Sequence, residues 1–249
     1  MTSHLDLEFT PGLRLDLHLP EGAEPPPVVV YLHGGAWRVG SRQDNPARQR
    51  SLTRHGFAVA SVDYRLSGDA KYPAQLHDVT AAIAWIKDNG RQYGVDGSRI
   101  AVWGASAGAH LAAAVALTSA VPRAAVLWFP TTDLVRAAPR GPVEPRYMPS
   151  PEGDLLGLKS PLDDVEAARA ASPRWLVHPD APPFLIMHGD RDRLVPPTQS
   201  TVLHDALVDA GAASTLVVLG GAAHEDPAFD TPATVGMVAG FLTAVLKPG

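Results

Sequence analysis

The chain has 249 residues, of which 45% are hydrophobic and 19% charged, and its formal net charge is −5. This is the composition of an ordinary globular chain, and the even mixture of charges gives no basic surface for nucleic acid. The lack of cysteine excludes disulfides, thiolate metal sites and a cysteine nucleophile. No stretch approaches the roughly 18 apolar residues of a membrane span, and residues 1–6 lack a signal-peptide pattern, so we expect a cytoplasmic protein.

Seven apolar runs predict β-strands. In the first, Leu13, Leu15 and Leu17 alternate with polar residues, which is the period of two that buries one face of a strand. The later runs are apolar on both faces, as expected for interior strands that are covered on two sides. The predicted strands cover residues 13–19, 28–32, 57–62, 100–103, 124–129, 184–187 and 215–219.

Helical patterns lie between these strands. One begins at Asn45-Pro46 and ends at Gly56, and the next ends at Gly90. The predicted helices cover residues 45–56, 73–89, 106–119, 198–210 and 231–246. Alternation of strands and helices predicts an α/β fold with a mostly parallel sheet and helices on both faces. We therefore predict a single domain over residues 1–249.

Residues 122–183 depart from the alternation, because they hold 12 of the chain's 24 prolines. Proline fixes φ and removes a backbone donor, so a regular strand–helix unit is not expected there. We predict a cap insertion at about residues 130–182, with a helix only near Val165–Ala171. Long connections in compact domains commonly form binding loops or lids. Four large apolar residues of this segment are therefore candidate substrate-binding residues: Tyr147, Leu155, Leu156 and Leu158. Trp37, from an earlier loop, is a fifth candidate.

The motif Gly104-Ala105-Ser106-Ala107-Gly108 stands between a predicted strand and a predicted helix. This is the G-x-S-x-G pattern in the strand–turn–helix context of a nucleophile elbow. A serine on so tight a turn takes strained backbone angles, and a Cβ two residues to either side is expected to collide with a neighbouring element. The positive end of the following helix favours negative charge that develops on a substrate. We predict that Ser106 is a catalytic nucleophile.

A second glycine-rich motif, His33-Gly34-Gly35-Ala36-Trp37, follows the buried strand at 28–32. Glycines let a backbone approach a ligand closely, as amide donors to an oxyanion must. In hydrolases of this architecture, one donor comes from such a loop and another from the residue after the nucleophile. This predicts an oxyanion hole formed by the amides of Gly35, Ala36 and Ala107.

The order of residues in such hydrolases, serine then acid then histidine, identifies the general base. Of the three histidines after the strand at 184–187, His188 comes too early, and His204 lies in a predicted helix, where we expect it to face solvent. His224 follows the last strand in a glycine-rich loop at the carboxyl edge of the sheet. Open α/β sheets place their sites at this edge. His224 is therefore the predicted base.

The acid must lie between the last two strands. A carboxylate there would hold the imidazole of His224 in the required tautomer and stabilise the imidazolium. Asp190 and Asp192 are both suitable by residue type, and their spacing alone leaves the choice open. Glu225 is a further carboxylate beside His224, although neighbours in sequence often point apart.

Several motifs together resemble the hormone-sensitive-lipase-like branch of the α/β-hydrolase esterases. They are His33–Trp37, the run Asp63-Tyr64-Arg65-Leu66 with Tyr72-Pro73-Ala74 and Asp78, and Gly104–Gly108. More narrowly, the chain from about Leu13 to Leu246 is similar to small bacterial bifunctional feruloyl and acetyl-xylan esterases of the BD-FAE type. The resemblance implies an α/β-hydrolase fold and esterase activity.

The resemblance also implies which carboxylate is the acid. In this family, it is the aspartate four residues after the histidine of H-G-x-x-D, with V-P following; that position is Asp192, with His188 and Val195-Pro196 matching. The chain departs from the family at Ala36, where a third glycine is common, and at Ala105, where an aspartate or a bulkier residue is common.

These observations predict a serine carboxylesterase for small esters with acetyl to butyryl groups, such as acetylated sugars or aryl esters. We predict no metal and no cofactor, and the expected partner is a small-molecule ester. One alternative is an arylformamidase, because H-G-G-x-W with a serine triad also occurs there. A second alternative is a catalytically silent binding protein, against which the intact serine, histidine and aspartate argue. The sequence leaves the oligomeric state open.

Overall fold

Eight strands form one sheet in the computed structural model, which describes residues 2–22, 24–137 and 150–247. The strands are β1 (Ser3–Thr10), β2 (Leu13–His18), β3 (Pro27–Leu32), β4 (Ala58–Val62), β5 (Asp96–Ala105), β6 (Ala125–Trp128), β7 (Phe184–Gly189) and β8 (Ser214–Leu219). Their spatial order is β1-β2-β4-β3-β5-β6-β7-β8. The pairs β1–β2 and β2–β4 are antiparallel, and all later pairs are parallel. This confirms the predicted mostly parallel sheet.

The first strand, β1, is not among the predicted strands. It pairs with β2 across a turn at Pro11-Gly12, where Gly12 has a φ of 81°. The alternation of Leu5, Leu7 and Phe9 with polar residues is the signal that indicates it. The prediction that the first strand begins at residue 13 is therefore wrong, whereas each of the seven predicted strands overlaps an observed one.

Helices cover both faces of the sheet. In the described part of the chain they are α1 (Pro46–Ser51), α2 (Ala74–Asn89), α3 (Ala107–Thr118), α4 (Leu134–Ala137), α5 (Pro151–Leu156), α6 (Val165–Ala170), α7 (Thr198–Asp209) and α8 (Pro232–Leu246). Alternate residues of β3 face opposite sides, with Val28 and Val30 packing under α2, α3 and α7, and Val29 and Tyr31 packing under α8. Two apolar layers therefore bury the sheet, as expected for strands that are apolar on both faces.

The described part of the predicted insertion, residues 130–137 and 150–182, contains several short helices. The predicted helix near residues 165–171 is present as α6, but α4 and α5 are helical too. Proline is tolerated at the first position of a helix, and Pro151 begins α5 directly after Ser150, whose side chain accepts a hydrogen bond from the Gly153 amide. The expectation of a single helical stretch is therefore wrong, because proline here starts a helix instead of preventing one.

The tight packing of α3 against β3 yields a stability prediction. A Cβ on Gly108 would lie 2.0 Å from the carbonyl oxygen of Leu32, so we expect Gly108→Ala to lower the free energy of unfolding by at least about 2 kcal/mol. The matched control is Gly240→Ala in α8, where a Cβ meets nothing within 4 Å. We expect that change to raise stability by up to about 1 kcal/mol. Urea unfolding curves measure both, and equal stabilities of the two variants would contradict the packing described.

Candidate active site

The predicted nucleophile lies on the sharp turn between β5 and α3. Ser106 has φ 54° and ψ −118°, a conformation that is uncommon for a residue with a side chain. A Cβ on Gly104 would lie 2.2 Å from the Gly108 carbonyl oxygen, and one on Gly108 would lie 2.0 Å from the Leu32 oxygen. The two glycines of the motif therefore allow α3 to begin directly against the strands, with Ser106 at the turn.

The structure brings Ser106, His224 and Asp192 into one chain of hydrogen bonds. The Nε2 atom of His224 lies 3.1 Å from Ser106 Oγ, and its Nδ1 atom lies 2.6 Å from Asp192 Oδ2. An ionised carboxylate can only accept, so Nδ1 carries the proton and Nε2 is left to accept from the Ser106 hydroxyl. The ring of Phe129 packs on the imidazole at a centroid distance of 4.6 Å.

Four donors surround the carboxylate of Asp192, which is buried. Its Oδ1 accepts from the amides of Leu194 and Val195 at 2.9 and 2.8 Å. Its Oδ2 accepts from His224 and lies 3.2 Å from Nε2 of His188. Burial opposes ionisation, but the hydrogen bonds from His188, His224 and the Val195 amide outweigh it, and the pKa of Asp192 lies well below its usual range. The carboxylate therefore stays ionised.

Geometry distinguishes the two aspartates that the spacing leaves open. Asp192 contacts His224, whereas Asp190 is exposed and accepts a hydrogen bond from the Gly221 amide at 2.6 Å. Asp190 therefore ties the loop after β7 to the loop after β8. Asp192 is also the aspartate for which the family resemblance implies the role of the acid, and that role stays a prediction.

The two histidines set aside in the sequence have structural contacts. His188 is buried, and its Nδ1 lies 2.6 Å from Ser200 Oγ, while its Nε2 lies 3.0 Å from the Val195 carbonyl. It therefore supports the loop that carries the acid. His204 is half-buried with Nδ1 2.9 Å from Ser214 Oγ, so the expectation that it faces solvent is wrong.

The backbone of the predicted oxyanion loop is tightly turned. Gly35 has a φ of 109°, and a Cβ there would lie 2.1 Å from the Val39 carbonyl oxygen. Ala36, with a φ of 54°, and Ala107 both line the cavity beside Ser106. Ala107 is the first residue of α3, so its amide has no acceptor within the helix. Gly35 lies outside the lining, and donation by its amide stays a prediction.

A cavity of about 200 Å³ adjoins Ser106. Its walls come from the two glycine-motif loops, the start of α5 and the loop after Asp192. The lining residues are Ala36, Trp37, Ser106, Ala107, Thr131, Pro151, Glu152, Leu194 and Val195. The volume is below the roughly 300 Å³ at which pockets for drug-sized ligands begin. The cavity therefore fits a small group.

The structure corrects most of the predicted substrate-binding residues. Trp37 lines the cavity as expected. Leu155 instead lies in the core with no exposed surface, and Leu156 and Leu158 are half-buried outside the lining. The reason is that α5 presents its first residues to the cavity and packs Leu155 into the core. Tyr147 lies outside the described residues.

The described residues contain neither a candidate metal site nor a helix that could span a membrane. Residues 2–22, 24–137 and 150–247 hold no group of three side chains able to bind a metal ion. The same residues form no helix of sufficient length and apolarity to cross a bilayer.

Comparison with known families identifies the group to which the chain is related. The BD-FAE family model matches residues 15–207, a range that includes Ser106 and Asp192. The chain belongs to the BD-FAE family. This confirms the resemblance stated from the motifs, and solved α/β-hydrolase esterases of similar structure confirm the fold.

Relatives of this BD-FAE member carry esterase names. Esterase LipQ of Mycobacterium tuberculosis is 34% identical over 251 residues, which cover 92% of this chain and 58% of LipQ. A truncated carbohydrate esterase from gut microbiota has a TM-score of 0.88 at 26% identity, with 98% of this chain and 96% of that chain covered. An esterase of Thermogutta terrifontis, Est2 with propionate bound, has a TM-score of 0.77 at 25% identity. The match covers 100% of this chain and 96% of that chain. The chain thus spans little more than half the length of LipQ.

A buried histidine lies one helical turn after Ser106. His110 in α3 is fully buried, its Nε2 lies 2.7 Å from the Ala171 carbonyl, and its ring packs edge-on against Trp37 at 5.0 Å. Burial lowers the pKa of His110 from 6.5 to about 4, and the bond to Ala171 offsets only part of the effect. His110 is therefore neutral behind the wall of the cavity near pH 7.

This lowered pKa predicts how stability depends on pH. Below pH 6.5 the unfolded chain binds a proton at His110 that the folded protein does not take up until about pH 4. The free energy of unfolding should therefore fall as the pH is lowered from 6.5 to about 4, and His110 should contribute at most about 3 kcal/mol to this fall. Above pH 6.5, His110 should have no effect on the pH dependence of stability. Urea unfolding from pH 7 to 4 should give a shallower loss for His110→Gln than for wild type. Parallel pH curves would contradict the burial described.

Proposed function

We propose that the chain is a serine carboxylesterase that hydrolyses small esters through an acyl-enzyme. The observation that carries the proposal is the hydrogen-bonded chain Asp192–His224–Ser106 at the edge of a small cavity. Membership of the BD-FAE family and the esterase names of the relatives support it.

In this mechanism, Ser106 Oγ attacks the acyl carbon of the ester while His224 Nε2 takes its proton. Asp192, ionised and bonded to Nδ1, stabilises the imidazolium that results. His224 then returns the proton to the leaving alcohol and activates a water molecule for attack on the acyl-enzyme. The tautomer set by Asp192 suits both steps, because Nε2 begins as an acceptor.

The amides of Ala36 and Ala107 are the proposed donors to the oxyanion, with Gly35 as a further candidate. Both alanines border the cavity beside Ser106, and the amide of Ala107 belongs to the free first turn of α3. Removal of one such donor in comparable enzymes costs about 3–4 kcal/mol of transition-state stabilisation. Electrostatic stabilisation is therefore the largest contribution that the backbone makes here.

The proposed acyl groups are short, from acetyl to butyryl. The cavity of about 200 Å³, whose lining includes Trp37 and Leu194, supports this size. The similar Thermogutta terrifontis esterase Est2 was solved with propionate bound, and propionate is a three-carbon carboxylate. Thr131 and Glu152 add polar groups to the lining, which suits a polar alcohol such as a sugar. The similarity to a carbohydrate esterase supports acetylated sugars, and aryl esters are the practical assay substrates.

No observation favours either alternative function. The arylformamidase hypothesis depends on a motif that esterases share. The hypothesis of a silent binding protein requires that three side chains meet at hydrogen-bonding distance without chemical use. A cytoplasmic location and the lack of a nucleic-acid partner stay predictions from composition.

Substitution of the three side chains tests the mechanism. With p-nitrophenyl acetate, Ser106→Ala should lower kcat on the order of 10⁶-fold, and Asp192→Asn about 10⁴-fold, because the asparagine favours the wrong imidazole tautomer. His224→Ala should resemble Ser106→Ala, while His204→Ala is the matched control that keeps wild-type kcat, since it bonds Ser214 away from the site. Wild-type kcat in Ser106→Ala would refute the mechanism.

A series of p-nitrophenyl esters tests the acyl size. The value of kcat/KM should be highest between two and four acyl carbons and fall beyond, because a longer chain exceeds a cavity of about 200 Å³. An optimum at eight carbons or more would show that the described cavity does not hold the acyl group. The same series with Ala in place of Leu194 should shift the optimum toward longer chains.

A further inference from the structure

Arg48 is a buried cation next to the loop that carries His224. It belongs to the short helix α1, and 5% of its surface is exposed. Its Nε and Nη2 atoms each lie 2.8 Å from the carboxylate of Asp230, which is 182 residues away in the chain. The Nη2 atom also lies 2.9 Å from Glu225 Oε2. Arg48 therefore joins both ends of the segment 225–230.

The surroundings of Arg48 keep it charged. Its guanidinium lies 5.0 Å from the ring centroid of Trp128, a favourable cation–π distance. Burial disfavours the cation, but the hydrogen bonds to Asp230 and the nearby charge of Glu225 raise the pKa of Arg48 above its ordinary value. A buried ion pair is weak evidence for stability by itself, and such pairs are better known for specifying one conformation.

Glu225, the carboxylate next to His224, is the residue whose conformation the ion pair with Arg48 would specify. Glu225 follows His224 directly and has a φ of 54°, a left-handed conformation that is unfavourable for a residue with a Cβ. Its side chain bonds Arg48 through Oε2, while its Oε1 lies 3.5 Å from the position of a Cβ on Gly34. Glu225 therefore lies between Arg48 and the oxyanion loop.

We propose that Arg48 is a positioning residue for the esterase reaction. Its ion pair with Glu225 fixes the backbone at His224, so that the imidazole stays within reach of both Ser106 and Asp192. Arg48 itself contacts neither of these residues. The inference rests on the proposed function, since positioning has meaning only if His224 is the base.

Alanine variants of Glu225 and Asp230 test the proposal. The two residues form a matched pair, because both bind Arg48 and the exposed fractions of their side chains are similar, 39% for Glu225 and 41% for Asp230. Glu225→Ala should lower kcat for p-nitrophenyl acetate about tenfold to a hundredfold with KM within about twofold, the scale of a misplaced catalytic group. Asp230→Ala, the matched control, keeps the bond between Arg48 and Glu225 and should change kcat less than about threefold. Thermal unfolding gives the stability of each variant at the assay temperature.

A double-mutant cycle identifies the path of the effect. If Glu225 acts through Arg48, then Arg48→Met with Glu225→Ala should lower kcat no more than Glu225→Ala alone. Additive losses would show that Glu225 acts on His224 directly, and that result would overturn the role of Arg48. Should Arg48→Met fail to fold, the two alanine variants still decide, because their changed side chains are partly exposed.

The outcomes separate this inference from the proposed function. If the wild-type protein is an active esterase, two results would overturn the inference. One is a wild-type kcat in Glu225→Ala. The other is an equal loss of kcat in Glu225→Ala and Asp230→Ala that follows their loss of stability. Absence of esterase activity in the wild-type protein would instead overturn the proposed function.

Discussion

The close approach of α3 to β3 is the constraint on which the site depends. A Cβ on Gly108, the second residue of α3, would lie 2.0 Å from the carbonyl oxygen of Leu32, so only glycine allows this close approach. Ser106, two residues before Gly108, has its uncommon backbone conformation at the same turn. The same contact brings the first amide of α3 beside the cavity. The proposed nucleophile and one proposed oxyanion donor therefore lie together at the start of α3.

The parallel sheet supplies the other two groups. Asp192 follows β7 and His224 follows β8, and the carboxyl ends of parallel neighbours meet at one edge of a sheet. Each loop is then fixed by its own contacts, since amides and His188 hold the aspartate, and Phe129 packs on the imidazole. The site therefore combines one edge of the sheet with loops that hydrogen bonds and ring packing hold in place.

Much of this arrangement can be predicted from the sequence, because its signals are local. Hydrophobic periodicity gave seven strands, and a serine between two glycines at a strand–helix junction marks the turn at Ser106. The choice of His224 follows from chain order and loop position. The strands and the turn at Ser106 depend on residues within a few positions of one another, whereas the choice of His224 also uses the known order of such residues along the chain.

The features that could not be predicted depend on contacts between distant segments. The sequence predicts Leu155 at the cavity, but tertiary packing places it in the core, and Glu152 lines the cavity instead. No local pattern reports which face of so short a helix meets the sheet. Arg48 and Asp230 are 182 residues apart, and nothing near either one indicates the pair. Asp190 and Asp192 differ only in a geometry that spacing does not encode.

Labelling with a fluorophosphonate, followed by mass spectrometry of the intact protein and its peptides, tests most directly whether Ser106 is an activated nucleophile. We expect one adduct per chain, located on Ser106. The adduct should be absent in Ser106→Ala and should form much more slowly in His224→Ala. A wild-type chain that takes up no label, or an adduct on another residue, would contradict the hydrogen-bonded chain as the origin of reactivity.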